Sequence, residues 1–174
     1  MTSDISKELE ARFKLAQDIA REAGALALDY FNRRETLVIE IKRDPQDVVS
    51  IADRNVEQLI NERVSAAFSD DGFLGEEYGL NAGSSGYTWV VDPIDGTSPF
   101  VNGMPNWCVS IAVLKDGEPV IGVIQAPCFD ELYAAAKGQG ATLNGKKLVL
   151  DETRTIRNAV TGIGANNYVT PQLV

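Results

Sequence analysis

Residues 89–97, Trp89-Val90-Val91-Asp92-Pro93-Ile94-Asp95-Gly96-Thr97, constrain this chain more than any other segment. The apolar run Tyr87–Val91 reads as a buried strand, and it runs straight into Asp92. A second aspartate follows three residues later, after a proline and before Gly-Thr. Any fold that buries this strand must therefore bring two carboxylates to the edge of its core. Pro93 fixes its own φ and helps hold the turn in one shape. Two carboxylates and a turned-out carbonyl, as from Ile94, supply the hard oxygen donors that Mg²⁺ or Ca²⁺ prefers. Gly96 lets the backbone approach a ligand closely, and Thr97 can N-cap a following helix. The N–H groups of Gly96 and Thr97 would then point at an anion such as phosphate. An Asx turn with an N-cap is the plainer alternative, and this segment alone leaves both readings open.

The rest of the chain supplies layers for that strand. Leu9, Phe13, Ala16, Ala20, Ala23, Ala27, Tyr30 and Phe31 recur at three- and four-residue steps, which predicts a long amphipathic helix over 7–32. Gly24 with its alanine neighbours makes one stripe narrow, as close helix–helix packing requires. Residues 37–42 read as a strand, and a second helix runs from Ser50 or Asp53 to Phe68. Residues 72–77 form a short strand entering a turn, and Gly79–Gly86 reads as a loop. Three antiparallel strands follow over 107–114, 119–125 and 131–136, with a turn at Lys115-Asp116-Gly117 and a hairpin at Asn144-Gly145. A further strand is expected over 155–162. The pattern predicts an α+β fold with two long helices layered on an antiparallel sheet. It divides into a domain over 1–150 and the start of a second over 151–174.

Composition then removes whole classes of chemistry. Histidine is absent, which excludes Ser-His-Asp and Cys-His catalysis and nearly all zinc-enzyme sites. Cys108 and Cys128 each sit in an apolar run as small buried residues, with no C-x-x-C pattern, and a reduced cytoplasmic location is expected. With 16 Lys+Arg against 25 Asp+Glu, a net charge of −9 and no basic run, nucleic acid is not an expected partner. No apolar run reaches the roughly 18–20 residues of a membrane span, and no membrane partner is expected. Catalysis here would use carboxylates, hydroxyls, Lys or Arg, backbone groups or an oxygen-bound metal.

Three further segments join the aspartate pair. Gly75-Glu76-Glu77 follows a short apolar strand, Asp53 ends Val49-Ser50-Ile51-Ala52-Asp53, and Lys42 closes a predicted strand. Alone they read as surface charges, a helix N-cap and a solvated strand end. Together with Asp92-Pro93-Ile94-Asp95-Gly96-Thr97, Phe100 and Gly140-Ala141-Thr142-Leu143-Asn144-Gly145, the chain resembles the inositol monophosphatase family of magnesium-dependent phosphatases. That resemblance implies the first half of a layered αβαβα sugar-phosphatase fold. It also implies two or three Mg²⁺ ions, a homodimer and a small phosphorylated polyol as substrate. Carried over by residue, Glu76, Asp92 and the Ile94 carbonyl hold one Mg²⁺, while Asp92 and Asp95 hold a second. Asp53 and Thr97 form the pair that takes a proton from water, with Glu76 counted beside them as catalytic. By the same resemblance, Asp95 and the Gly96 and Thr97 amides would orient the phosphate.

Ser98-Pro99 departs from the family's usual Thr-Asn pair, which predicts an altered substrate edge with little change at the metals. The family's later W-D-x-A-A-G aspartate has no counterpart here, so the 174 residues alone are expected to lack a complete site and to be poorly soluble. The activity implied is phosphomonoester hydrolysis, with inositol monophosphate as the default substrate. Histidinol phosphate and fructose bisphosphate are the alternatives within the family. A non-catalytic cation- or phosphate-binding module is the alternative outside it.

Overall fold

The computed structural model describes residues 2–36, 39–41 and 48–151 and a few positions beyond, with side chains described over 7–35 and from 51 onward. Lys42 and most of the second unit expected over 151–174 fall outside the described residues. A hydrogen-bonded turn linking Thr155 and Asn158 stands where the strand over 155–162 was expected to begin. No described helix is long and apolar enough to cross a membrane.

Two helices lie on one face of a sheet. The first, α1 (Thr2–Asn32), is followed by a two-stranded ribbon of β1 (Ile39–Ile41) and β2 (Val48–Ser50). The second helix, α2 (Ile51–Ala67), runs antiparallel to α1. Asn55 Nδ2 donates to Tyr30 Oη at 2.6 Å near one end, and Arg63 pairs with Glu22 at 3.3 Å nearer the other. The main sheet begins with β3 (Gly72–Gly75), β4 (Gly79–Asn81) and β5 (Tyr87–Asp95). A short helix, α3 (Thr97–Val101), leads into β6 (Cys108–Lys115), β7 (Glu118–Ala126), β8 (Glu131–Ala136), β9 (Gly140–Leu143) and β10 (Lys146–Lys147). In space the order is β10-β9-β8-β7-β6-β5-β3-β4, antiparallel throughout except that β3 and β5 run parallel. Asp116-Gly117 and Asn144-Gly145 close two of the hairpins with left-handed backbone, as the asparagine–glycine and aspartate–glycine pairs prefer. The Asn144 side chain is held at both ends: its Oδ1 accepts from the Leu132 amide and its Nδ2 donates to the Asp130 carbonyl, both at 2.8 Å.

Strict alternation along the strands sorts the sheet into two faces. Trp89, Val113, Ile121 and Ala136 stand in one cross-strand row, and Val91, Ile111, Val123 and Ala134 in the next. All eight are buried, facing Ala16, Ile19, Ala20, Ala23 and Ala27 of α1 and Val56, Ile60 and Val64 of α2. The small side chains of α1 do more than admit α2. A Cβ on Gly24 would stand 2.6 Å from Gln125 Cγ and 3.1 Å from Pro127 Cγ, so the narrow stripe also seats the helix on β7. The opposite face carries Leu74, Val90, Ala112, Gly122 and Ile124, and no described helix covers it. Leu74 and Ile124 are exposed there, and Ile124 lines a shallow depression of about 330 Å³ with Ala112 and Gly122.

The segment expected as a loop over 79–86 is half strand. Gly79–Asn81 pairs with β3 as an exposed edge, and only the residues from Ala82 to Gly86 are irregular. A three-residue edge strand with no buried side chain leaves no hydrophobic pattern to read.

One buried ion pair ties α1 and the end of α2 to the starting ends of β3 and β5. Arg12 on α1 reaches both oxygens of Asp71, just before β3, at 2.8 and 2.7 Å. Its guanidinium lies between the rings of Phe68 and Tyr87, 4.2 and 3.8 Å from their centroids. Ser85 Oγ and Trp89 Nε1 donate to the same carboxylate. Burial alone pushes the Asp71 carboxyl up, but the Arg12, Ser85 and Trp89 donors outweigh it and hold the group below its usual value. A carboxyl lowered by folding stabilises the native state fully above the ordinary carboxylate pKa of about 4. That contribution is lost as pH falls through the lower folded value. Asp71→Asn, which leaves Arg12 buried without its counter-charge, is expected to cost about 3 kcal/mol in urea unfolding at pH 7. The difference between variant and wild type should shrink below pH 4; a constant difference down to pH 2 would remove the ion pair as its cause.

Candidate functional site

The carboxyl ends of β3 and β5 build the site. Because these two strands are parallel, with Gly75 paired to Val91, the residue after each strand pair falls at the same level. That places Glu76 beside Asp92. The strand expected to end at Asp92 continues to Asp95, with a bulge in its pairing to β6 between the two aspartates. Pro93, which cannot donate to a ladder, sits within the bulge, where strand prolines are tolerated. The bulge turns Asp92 and Asp95 toward one another's surroundings.

Asp92, half-buried, and Glu76, exposed, line a depression of about 320 Å³ together with Leu74, Val90, Ser110 and Ala112, and Asp95 is exposed outside that lining. Burial, together with the neighbouring carboxylates of Glu76 and Asp95, pushes the Asp92 carboxyl up to about 7. Asp92 also shares a side-chain hydrogen bond with Glu76, and its Oδ1 accepts the Ile94 amide at 3.1 Å. That last contact is the Asx turn of the plainer sequence reading, present within the acidic cluster. The three carboxylates converge without closing on one point. Among the described residues no three acidic or thiol side chains stand at the separation of a preformed metal site. The donor set nonetheless suits a hard divalent cation: oxygen donors only, with like charge drawn together so that an added cation relieves it.

Thr97 takes a different role from the cap expected of it. Gly96 is the N-cap of α3, with φ 97° and no side-chain cap, and Thr97 is the first helical residue. The Gly96 conformation is left-handed, and a Cβ there would also lie 3.2 Å from the Asn106 carbonyl oxygen. Thr97 Oγ1 instead stands 3.2 Å from Asp53 Oδ1 and 3.1 Å from the Ile94 carbonyl oxygen, so its one proton is shared between two acceptors. Asp53, in the first turn of α2, is buried at 1% exposure. The Gly96 and Thr97 amides lie at the start of α3, which Phe100 pins down. Its ring packs 4.9 Å from Trp107 and 5.5 Å from Phe31 of α1.

The structure thus gathers Asp53, Glu76, Asp92, Ile94, Asp95, Gly96 and Thr97 around one end of the sheet, and Lys42 lies outside the described residues. Two neighbours were not among the candidate site residues, and the first, Cys108, was expected only as a small buried residue. Cys108 is half-buried, and its thiol donates to Asp95 Oδ2 at 3.8 Å. Burial and the Asp95 and Asp92 charges push that thiol up to about 12. Glu57 is fully buried, one turn after Asp53 on α2. The available signal was a charged residue four after Asp53, between Val56 and Ile60 on the apolar face.

Comparison with known proteins gives the same frame. The family model described as "Inositol monophosphatase family" matches residues 8–169. A histidinol-phosphatase of Chlorobaculum parvum is 46% identical over 132 residues, covering 76% of this chain and 50% of that protein. An inositol-1-monophosphatase of Rhizobium meliloti is 38% identical over 157 residues, covering 90% and 56%. The crystal structure of the extragenic suppressor protein suhB from Bartonella henselae superposes with a TM-score of 0.79 at 35% identity, over 83% of this chain and 56% of that one. The chain spans about half the length of the curated relatives it matches. With one family model matched along most of its length and a matching fold beneath the acidic cluster, the chain belongs to the inositol monophosphatase family.

Proposed function

We propose that the protein is a Mg²⁺-dependent phosphomonoesterase acting on a small phosphorylated polyol, with inositol monophosphate as the first substrate to test. The observation that carries this reading is the meeting of two unlike groups at one sheet edge. One is a cluster of repelling carboxylates, Glu76, Asp92 and Asp95, and the other is a hydroxyl–carboxylate pair, Thr97 and Asp53. Glu76, Asp92, Asp95 and the Ile94 carbonyl would hold the metal, which when bound neutralises phosphate charge and makes water acidic enough to serve as nucleophile.

The chain's own groups handle the proton and the phosphate. Asp53, buried and fixed on α2, keeps Thr97 oriented by accepting its hydroxyl proton. Thr97 Oγ1 then accepts from a water on its open side and relays that proton toward Asp53 Oδ1. Such a relay needs no histidine, in keeping with a chain that has none. The amides of Gly96 and Thr97, on the turn that the Gly96 backbone makes possible, face the phosphate oxygens. A second substrate, histidinol phosphate, is favoured by the 46% identity to the Chlorobaculum protein. As a family member the protein is read as a homodimer.

Two results test this reading. Phosphate release from inositol, histidinol and sugar phosphates, with Mg²⁺ titrated from zero, is expected to be metal-dependent for one of them and abolished by EDTA. Asp92→Asn is expected to retain less than about a tenth of wild-type release, because one carboxylate would serve the whole metal cluster. Retention above that level would sink the assignment. Thr97→Val, which keeps the shape and removes the hydroxyl, is expected to lower kcat about a hundredfold with a small change in KM. A loss confined to KM would place Thr97 in binding and not in proton transfer.

A further inference from the structure

Glu57 is a carboxylate with no access to water and no cation partner among the described residues, and such burial needs a reason. Its partners are backbone donors from a distant turn. The Glu77 amide donates to Glu57 Oε2 at 2.8 Å and the Tyr78 amide to Oε1 at 3.0 Å, twenty and twenty-one residues away in sequence. These amides belong to the turn that leaves β3 and carries Glu76. The fit is tight on the strand side as well. A Cβ on Gly75 would fall 1.8 Å from Glu57 Oε1, so the carboxylate occupies the space that any larger residue before Glu76 would need. Thus α2 reaches the site twice: Asp53 extends to Thr97, and one turn later Glu57 grips the loop behind Glu76.

The geometry points to Glu57 as a positioning residue for the metal cluster. By holding the Glu77 and Tyr78 amides, it fixes the turn that presents Glu76 beside Asp92, and it sets that turn in register with the Asp53–Thr97 pair. The inference rests on the metal-dependent reading above. Glutamine is the informative replacement. It has the same shape, but its NH₂ would meet a backbone N–H where an oxygen now accepts, so one hold on the turn becomes a clash of donors. Outer partners that orient a ligand typically govern metal affinity by 10- to 100-fold.

The test measures Mn²⁺ binding by electron paramagnetic resonance on the full-length protein, alongside kcat at saturating Mg²⁺ and thermal melting. Glu57→Gln is expected to raise the Mn²⁺ dissociation constant about tenfold or more, while turnover at saturating Mg²⁺ falls by much less. Glu57→Asp keeps the charge but draws it back by one methylene, and is expected to give an intermediate constant. It also serves where the glutamine variant does not fold. A folded variant with lowered melting temperature and an unchanged Mn²⁺ constant overturns the positioning role and leaves a structural one. Wild-type protein that bound no Mn²⁺ would instead overturn the metal reading, and this inference with it, so the two failures are distinct.

Discussion

Carboxylates do not gather of their own accord. Two unit charges 4 Å apart repel by about 4 kcal/mol at the effective dielectric of a protein surface. Whatever brings Glu76, Asp92 and Asp95 to one place must be rigid and already satisfied elsewhere. Here it is backbone: the parallel register of β3 and β5 sets Glu76 level with Asp92, and the bulge within β5 returns Asp95 to the same edge. The raised Asp92 carboxyl records the cost of that arrangement. The one parallel pair among the described strands is therefore where the carboxylate cluster sits, at the carboxyl ends of β3 and β5.

A rigid edge needs a fixed far end. Arg12 and Asp71 supply it where β3 and β5 begin, with Phe68 and Tyr87 closing over the guanidinium. The pair joins α1, the end of α2 and the two central strands. The antiparallel course of α1 and α2 carries that anchorage back to the site, where Asn55 meets Tyr30 beside the turn bearing Asp53. α2 is thus held at both ends by polar contacts and along its length by Val56, Ile60 and Val64.

What the sequence made legible was what is local. The 87–97 segment states its strand, its turn and its carboxylates in consecutive residues, and the i, i+3, i+4 pattern of α1 is long enough to be unambiguous. The structure departed from expectation where the answer depends on a distant partner. Gly24 signals a close approach, which the sequence pattern assigns to a second helix, but in the fold Gln125 and Pro127 are the residues that make it. Thr97 has the chemistry of a cap, but Asp53, forty-four residues away, claims its hydroxyl. Glu57 reads as a misplaced charge until the turn after β3 folds onto it. β4 has no apolar side to announce it, because an edge strand of three exposed residues buries nothing.

The hairpin at Asn144-Gly145 carries a consequence for the chemical lifetime of the chain. Asparagine followed by glycine is the pair most prone to deamidation, since the small residue lets its amide nitrogen reach the side-chain carbonyl carbon and close a five-membered imide. In this turn the Asn144 amide group is gripped from both sides, by the Leu132 N–H and the Asp130 carbonyl. The side chain is held away from the attack that would convert it to aspartate or isoaspartate. The same two hydrogen bonds that tie Asn144 to the start of β8 restrain the motion that this ageing reaction requires.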